Sequence, residues 1–444
     1  MLKKNGIGVV APNILLPKKG TDYSLWATVA CDQYTSQPEY WQETEKIVGN
    51  APSTLRLMLP ELYLEKPGEE EKIAAIRAAM QEYLSNGILE DKGSGFVLIN
   101  RISNGRSRKG LVLALDLENY DYNKGSTTLI RATEGTIVER IPPRQKIRED
   151  APIEMPHILV LIDDPDKTVI EPVFEKLEAT KAEKLYDFDL MQNGGHISGY
   201  LINDDTTLNS IVDNMEALKK SVDGLPPMLF ALGDGNHSFA TAKASWEDMK
   251  KTLSKEEQEN HPARFALVEI ENLHDDGIEF EPIHRVIFDV PPRETLITLK
   301  EYLERHCEVC EMYLTFDKNE LQEHIANYRK YKNIHVLPFM AQGYYGSFVV
   351  LNPEAQLEVG SLQVALDAMI DDGKFTKAQI DYVHGDAIVE ELSNKNRNLG
   401  FLLPPMSKAM LYPTVMREGA LPRKTFSMGE AHEKRYYLEC KRIL

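Results

Sequence analysis

The densest group of reactive side chains in the sequence is Gly233-Asp234-Gly235-Asn236-His237-Ser238. It follows an apolar run at 228–232 that reads as a short buried strand, and it opens a helical pattern over 236–253. At such a junction the first helix N–H groups lack partners, and with the macrodipole they favour an anion. The two glycines permit a tight turn and close backbone approach to a ligand. Asp234 can bind a metal or act as a general base, while Asn236, His237 and Ser238 can donate to phosphate oxygens. The same residues also fit a plain capped helix with the histidine in the core.

A second group runs from Arg131 to Arg148. It holds Arg131, Arg140, Arg144, Lys146 and Arg148 against Glu134 and Glu139, a local charge of +3 in a chain of −18. Arginine forks match phosphate and carboxylate oxygens, and Pro142-Pro143 would stiffen the loop presenting them. A solvated face with structural ion pairs is the competing reading. Glu154, His157, Asp163 and Asp164 follow, and the adjacent aspartates at a strand end are candidate Mg²⁺ ligands. Further candidates are Asp32 and Gln33 in the polar, aromatic segment 31–41, His284-Arg285 on a strand, and Arg423 and Lys424 in a cationic stretch at 421–435.

The elements that must position these groups alternate between strand and helix. Strands are expected at 96–102, 111–117, 157–162, 184–190, 196–202, 228–232, 264–270 and 283–288, with helices at 69–86 and 206–221. The strands at 96–102 and 111–117 read as a hairpin joined by a basic turn at 104–110. Beyond Pro291-Pro292 come helices near 295–305, 320–330, 362–371 and 386–393, and strands at 334–340 and 347–351. The expected fold is mixed α/β in two regions, 1–290 and 291–444, the first catalytic and the second lending its cationic segment to the site.

Composition narrows the function classes. With 51 Lys+Arg against 69 Asp+Glu, the chain is acidic and poorly suited to coating nucleic acid or an anionic membrane. Four cysteines are too few for a disulfide framework, and Cys307-x-x-Cys310 has no second pair to complete a zinc site. The start Met-Leu-Lys-Lys suggests a signal peptide, but its apolar stretch at 7–11 is too short, so a cytoplasmic location is expected. Walker A, HExxH and G-x-S-x-G patterns are missing, and Gly6-Ile-Gly has no strand before it.

The stretch Asp234-Gly-Asn-His-Ser-Phe-Ala-Thr-Ala242 resembles domain-of-unknown-function family 1015, whose members often carry Asp-Gly-His-His-Arg followed by Thr-Ala. The resemblance continues through 31–41, 131–148, 282–285 and 421–439. The motif is also similar to one in the ParB/sulfiredoxin-like fold, which includes free serine kinases. This implies a ParB/sulfiredoxin-like core with an additional α/β lobe. It further implies Mg²⁺-dependent phosphoryl transfer from pyrophosphate or a nucleotide to free L-serine. Asn236 and Ser238 replace the motif's His and Arg, and Arg131, Arg140, Arg144 and Arg148 are the candidates to supply the lost phosphate contact. In that chemistry Asp234, Glu134 and Glu139 are candidate bases and His237 is a donor to the transferring group. A phosphoserine phosphatase would use the same residues. A ParB-like nucleic-acid-binding protein would need a recognition helix and a basic face, and neither is found.

Overall fold

A computed structural model describes residues 5–444. The Met1–Lys4 start, read above as part of an abortive signal sequence, lies outside them. The chain forms two compact units. One runs through Glu279 and takes back Val415–Gly419 and Gly429–Leu444; the other holds Phe280–Thr414 and Ala420–Met428. The boundary thus falls before the expected 290/291, and the C-terminal residues are shared out between the units.

The first unit is built on a nine-stranded sheet. Its strands are β1 (Val9–Val10), β2 (Phe96–Ser103), β3 (Arg106–Asp116), β4 (Ile130–Ala132), β5 (Leu159–Ile162), β6 (Tyr186–Leu190), β7 (Gly195–Ile202), β8 (Phe230–Asp234) and β9 (Phe265–Asn272). They lie in the order β6-β7-β2-β3-β9-β5-β8-β4, with β1 beside β3. Pairs β8–β4 and β9–β5 are parallel and the others antiparallel, so the sheet is mixed. Residues 111–115 of β3 and all of β5 are buried on both sides. That explains their unbroken apolar runs, because a sheet covered on both faces has no solvent side to alternate toward.

The β2–β3 hairpin was placed correctly but its turn was not. The strands run on to Ser103 and Arg106, joined by Asn104-Gly105, both with positive φ (51° and 76°). Two such residues form the turn whose twist suits a two-residue hairpin. Three helices matter to the site: α1 (Glu69–Ser85), α2 (Ile141–Arg148) and α3 (Asn236–Met249). Pro142 and Pro143 sit in the first turn of α2 rather than in a stiffened loop, where a missing N–H costs nothing.

The second unit carries a six-stranded antiparallel sheet. Its strands are β10 (His284–Phe288), β11 (Val309–Thr315), β12 (Ile334–Ala341), β13 (Tyr344–Leu351), β14 (Gln379–Val383) and β15 (Leu399–Phe401), in the order β11-β13-β12-β15-β10-β14. No described helix is long and apolar enough to cross a membrane.

Candidate active site

The strand β8 ends at Asp234, and α3 begins at Asn236, with Gly235 between them at φ 74°. A side chain at Gly235 would bring its Cβ to 3.0 Å from the Ile158 Cα, so both dihedral and space require glycine here. No side chain caps the start of α3 among the described residues, leaving the N–H groups of Asn236, His237 and Ser238 open to a ligand. Asn236 Oδ1 is buried with no hydrogen-bond partner, an acceptor that a bound donor would satisfy.

Asp234 accepts the Gly235 N–H on Oδ1 at 2.8 Å and faces Lys434 Nζ at 3.1 Å on Oδ2. Burial opposes its charge, but the Lys434 ammonium and the Gly235 N–H hold the carboxyl below its ordinary value. His237 is shifted the other way for a base, down to about 4, by burial and then by the guanidinium groups of Arg140 and Arg144. It is therefore a neutral imidazole at physiological pH. Its Nε2 accepts the Ile137 N–H at 3.2 Å, which puts the ring proton on Nδ1.

Ser238 lies one turn into the helix. Its Oγ is 2.8 Å from His157 Nε2, His157 Nδ1 is 2.7 Å from Tyr437 Oη, and Tyr437 donates to Cys31 Sγ at 3.1 Å. A cavity of about 150 Å³ reaches Ser238, His157, Tyr437 and Cys31, with largely apolar walls that include Leu59 and Met155. Arg144 also borders it, joined through both Nε (2.8 Å) and Nη2 to Glu61.

Residues 15–369 match the sequence profile of the family described as protein of unknown function, DUF1015. The chain belongs to the DUF1015 family. No curated protein matches it in sequence. Among solved structures it is similar to a free serine kinase in complex with AMP, at 12% identity and a TM-score of 0.38, covering 77% of this chain and 95% of that one. It is also similar to a conserved hypothetical protein from Pyrococcus furiosus, at 11% identity and a TM-score of 0.33, covering 74% and 90%. A third is C-terminally truncated SbnI from Staphylococcus aureus, at 10% identity and a TM-score of 0.32, covering 72% and 83%.

The DUF1015 chain distributes its sequence-nominated residues unevenly. Asp234, Gly235, Asn236, His237 and Ser238 come together at the α3 start, and Asp32, Arg140 and Arg144 are close enough to act on His237 electrostatically. Gln33 donates to Asp32 at 2.9 Å. Glu139 and Arg140 are exposed on the turn before α2, and Glu134 is half-buried in the preceding loop.

Other nominations carry structural duties instead. Arg131 is buried, and its guanidinium is spent on the carbonyls of Thr127, Thr128, Pro226 and Pro227, so it is a loop clamp rather than a phosphate ligand. Arg148 pairs with buried Glu154, which also faces Lys441 at 3.2 Å. Asp163 is held by Lys220 and His274, while Asp164 accepts the Thr168 and Val169 N–H groups in a turn. The expected Mg²⁺ ligands at 163–164 are thus committed to the protein itself. His284, Arg285, Arg423 and Lys424 belong to the second unit. There Arg285 donates to the carbonyls of Ile283, Arg423 and Lys424, Arg423 pairs with Asp367, and His284 accepts the Leu403 N–H.

Sequence reasoning singled out the stretches that hold Cys31 and Tyr437 but gave no role to either residue, nor to Glu61, His157 or Lys434. Lys434 stood in the cationic stretch singled out near the C-terminus, but nothing in a linear sequence pairs it with Asp234.

Proposed function

We propose that the chain is a small-molecule phosphotransferase. It moves a phosphoryl group from pyrophosphate or a nucleotide to the hydroxyl of free L-serine, giving O-phospho-L-serine. The observation that supports this reading is the open start of α3, where three uncapped N–H groups lie beside the Lys434–Asp234 pair and a neutral His237. Phosphoryl transfer asks for charge neutralisation and in-line placement more than for covalent chemistry, and a helix N-terminus with a cation beside it meets the first need.

The roles then follow from the groups present. The amides of Asn236, His237 and Ser238 cradle the transferring phosphoryl oxygens, and the His237 Nδ1–H donates to one of them. Arg140 adds charge at the rim. Asp234 is ionised and takes the proton of the acceptor hydroxyl. Asn236 Oδ1 accepts from the acceptor's ammonium. Mg²⁺ commonly binds one or two carboxylates together with substrate phosphates. Since Asp163 and Asp164 are engaged and both Asp234 oxygens already have partners, a Mg²⁺ in this reading enters on the donor's phosphates. The ParB/sulfiredoxin-like core implied by the motif belongs to the same proposal.

Purified full-length protein incubated with L-serine, Mg²⁺ and, separately, ATP, ADP or pyrophosphate is expected to form O-phosphoserine with one donor, measured by mass spectrometry. No product with any of the three rejects the reading. Asp234→Ala is expected to cut turnover about 100-fold or more with the fold intact; unchanged turnover removes Asp234 from the mechanism.

A further inference from the structure

The hydrogen-bonded series Ser238–His157–Tyr437–Cys31 has no task in the transfer just described. Its members come from four separate stretches of chain, and His157 and Tyr437 are both buried. The directions of the bonds can be worked out. Tyr437 Oη donates its only proton to Cys31 Sγ at 3.1 Å. It also accepts the Cys31 N–H at 3.4 Å. Toward His157 the phenol oxygen is therefore an acceptor, so Nδ1 carries the imidazole proton. That leaves a lone pair on Nε2, which faces Ser238 Oγ at 2.8 Å.

Burial and then Asp32 push the Cys31 thiol up, so it stays protonated and uncharged beside the phenol. An acceptor nitrogen held against a serine hydroxyl by a third, orienting group is the arrangement that activates a serine nucleophile. Ser238 is also the third residue of α3, within the same open N–H groups that would stabilise negative charge on a group joined to Oγ.

We propose that Ser238 is a nucleophile activated by His157, and that it receives the transferred group before the acceptor does. The inference rests on the phosphotransferase reading for the identity of that group. In the first half-reaction Oγ attacks the donor's terminal phosphorus while its proton passes to His157 Nε2. The P–O bond to the leaving pyrophosphate, nucleotide or phosphate oxygen breaks with its electron pair. In the second, the acceptor hydroxyl attacks phospho-Ser238 and gives its proton to Asp234, while Oγ leaves and recovers its proton from His157. Asp234 lies close enough to His157 to stabilise the imidazolium in between. The apolar walls of the adjoining cavity of about 150 Å³ limit water at the phosphoserine. Tyr437 is a positioning residue that fixes the tautomer of His157.

Two measurements on the full chain test this. The first uses a small alkyl fluorophosphonate, which reports an activated serine whatever the natural donor. Serine oxygen bonds to phosphorus, fluoride leaves, and the proton goes to the base. One adduct is expected on Ser238 by peptide mapping, absent in Ser238→Ala, about 100-fold slower in His157→Gln, and intermediate in Tyr437→Phe. No adduct on Ser238 in the unaltered protein overturns the inference, as does labelling that His157→Gln leaves unchanged.

The second incubates the protein with each phosphoryl donor and no acceptor, and seeks one phosphoryl group on Ser238. Phosphoserine product formed at full rate by Ser238→Ala overturns the inference while the phosphotransferase reading stands. Fluorophosphonate labelling of Ser238 with no transfer from any donor upholds the activated serine and removes the phosphotransferase reading. Circular dichroism of each variant separates lost chemistry from lost folding.

Discussion

Because His237 is kept neutral by its surroundings, acid should reveal it as a source of strain. Burial, then Arg140 and Arg144, hold its pKa at about 4, whereas an unperturbed histidine titrates at about 6.5. The unfolded chain therefore takes up this proton as pH falls through about 6.5, and the folded chain does so only near 4. Stability is unaffected above neutrality, declines with falling pH across that window, and has lost the full contribution below it. At pH 5 the unscreened difference is worth about 2 kcal/mol; Arg140 is solvent-exposed and its share is screened, so about 1 kcal/mol is expected. The perturbation is His237→Gln, which keeps an acceptor for the Ile137 N–H and removes the titration. Urea unfolding of both proteins at pH 7.5 and pH 5 should show the variant gaining about 1 kcal/mol on the wild type at the lower pH. The His237 ring resonance should stay in its neutral position down to pH 5. A resonance that titrates near 6.5, or a stability gap that does not change with pH, refutes the reasoning.

Three further outcomes follow from local geometry. Gly235→Ala puts a Cβ at positive φ and 3.0 Å from the Ile158 backbone, and is expected to cost about 1–3 kcal/mol in urea unfolding. Arg131→Met strips four carbonyls of their donor and should lower stability by about 2 kcal/mol while leaving pyrophosphate binding, measured by calorimetry, unchanged. Lys434→Met removes the cation that keeps Asp234 ionised, so the acid limb of the turnover-pH profile should move to higher pH; a fixed limb would show that Asp234 does not set it.

The sequence was most legible where chemistry and backbone depend on neighbouring residues. The strand–Gly–helix junction at 233–238 could be located because its glycine, its apolar strand and its polar helix start are contiguous. Helix α1 was legible for the same reason, from Ile73, Ile76, Met80 and Leu84 at helical spacing; the structure buries the first three together with Tyr83 and leaves Leu84 half-buried. What escaped was long-range pairing. An arginine that clamps carbonyls, as Arg131 does, has the same residue type and local company as one that binds phosphate. Asp163-Asp164 looks like a metal pair until the distant Lys220 and His274 are seen on one carboxylate and a turn on the other. Tyr437 and Cys31 lie far apart in sequence, and neither has a local pattern that would announce a hydrogen bond to His157.

One such long-range arrangement ties the C-terminal segment to the large sheet. Glu269 and Glu271 are two residues apart on β9 and so point to one face of the sheet, where both are buried. Gly110 on β3 leaves room for the Glu269 side chain, since a Cβ there would lie on its Oε1. Arg108 faces Glu271 at 2.8 Å, and even so burial lifts Glu271 to about 8. Glu269 is met by Arg435 at 3.1 Å, and Arg435 also pairs with Glu439, which accepts from Tyr186. Arg101 donates to the carbonyls of His432 (2.6 Å) and Lys434 (2.7 Å). Desolvation takes back much of what such buried pairs contribute to stability, but a wrong register would leave each charge unpaired, at about 3 kcal/mol or more apiece. They therefore specify how the segment 429–444 lies against the sheet. The β-pairing of Tyr436 with Val29 and Tyr437 with Thr28 agrees with that one register. Only in it does Lys434 reach Asp234 and Tyr437 reach His157, because a slip of one residue would turn each side chain to the opposite face. The acidic strand and its buried arginines thus place Lys434 and Tyr437, the two C-terminal residues that reach Asp234 and His157.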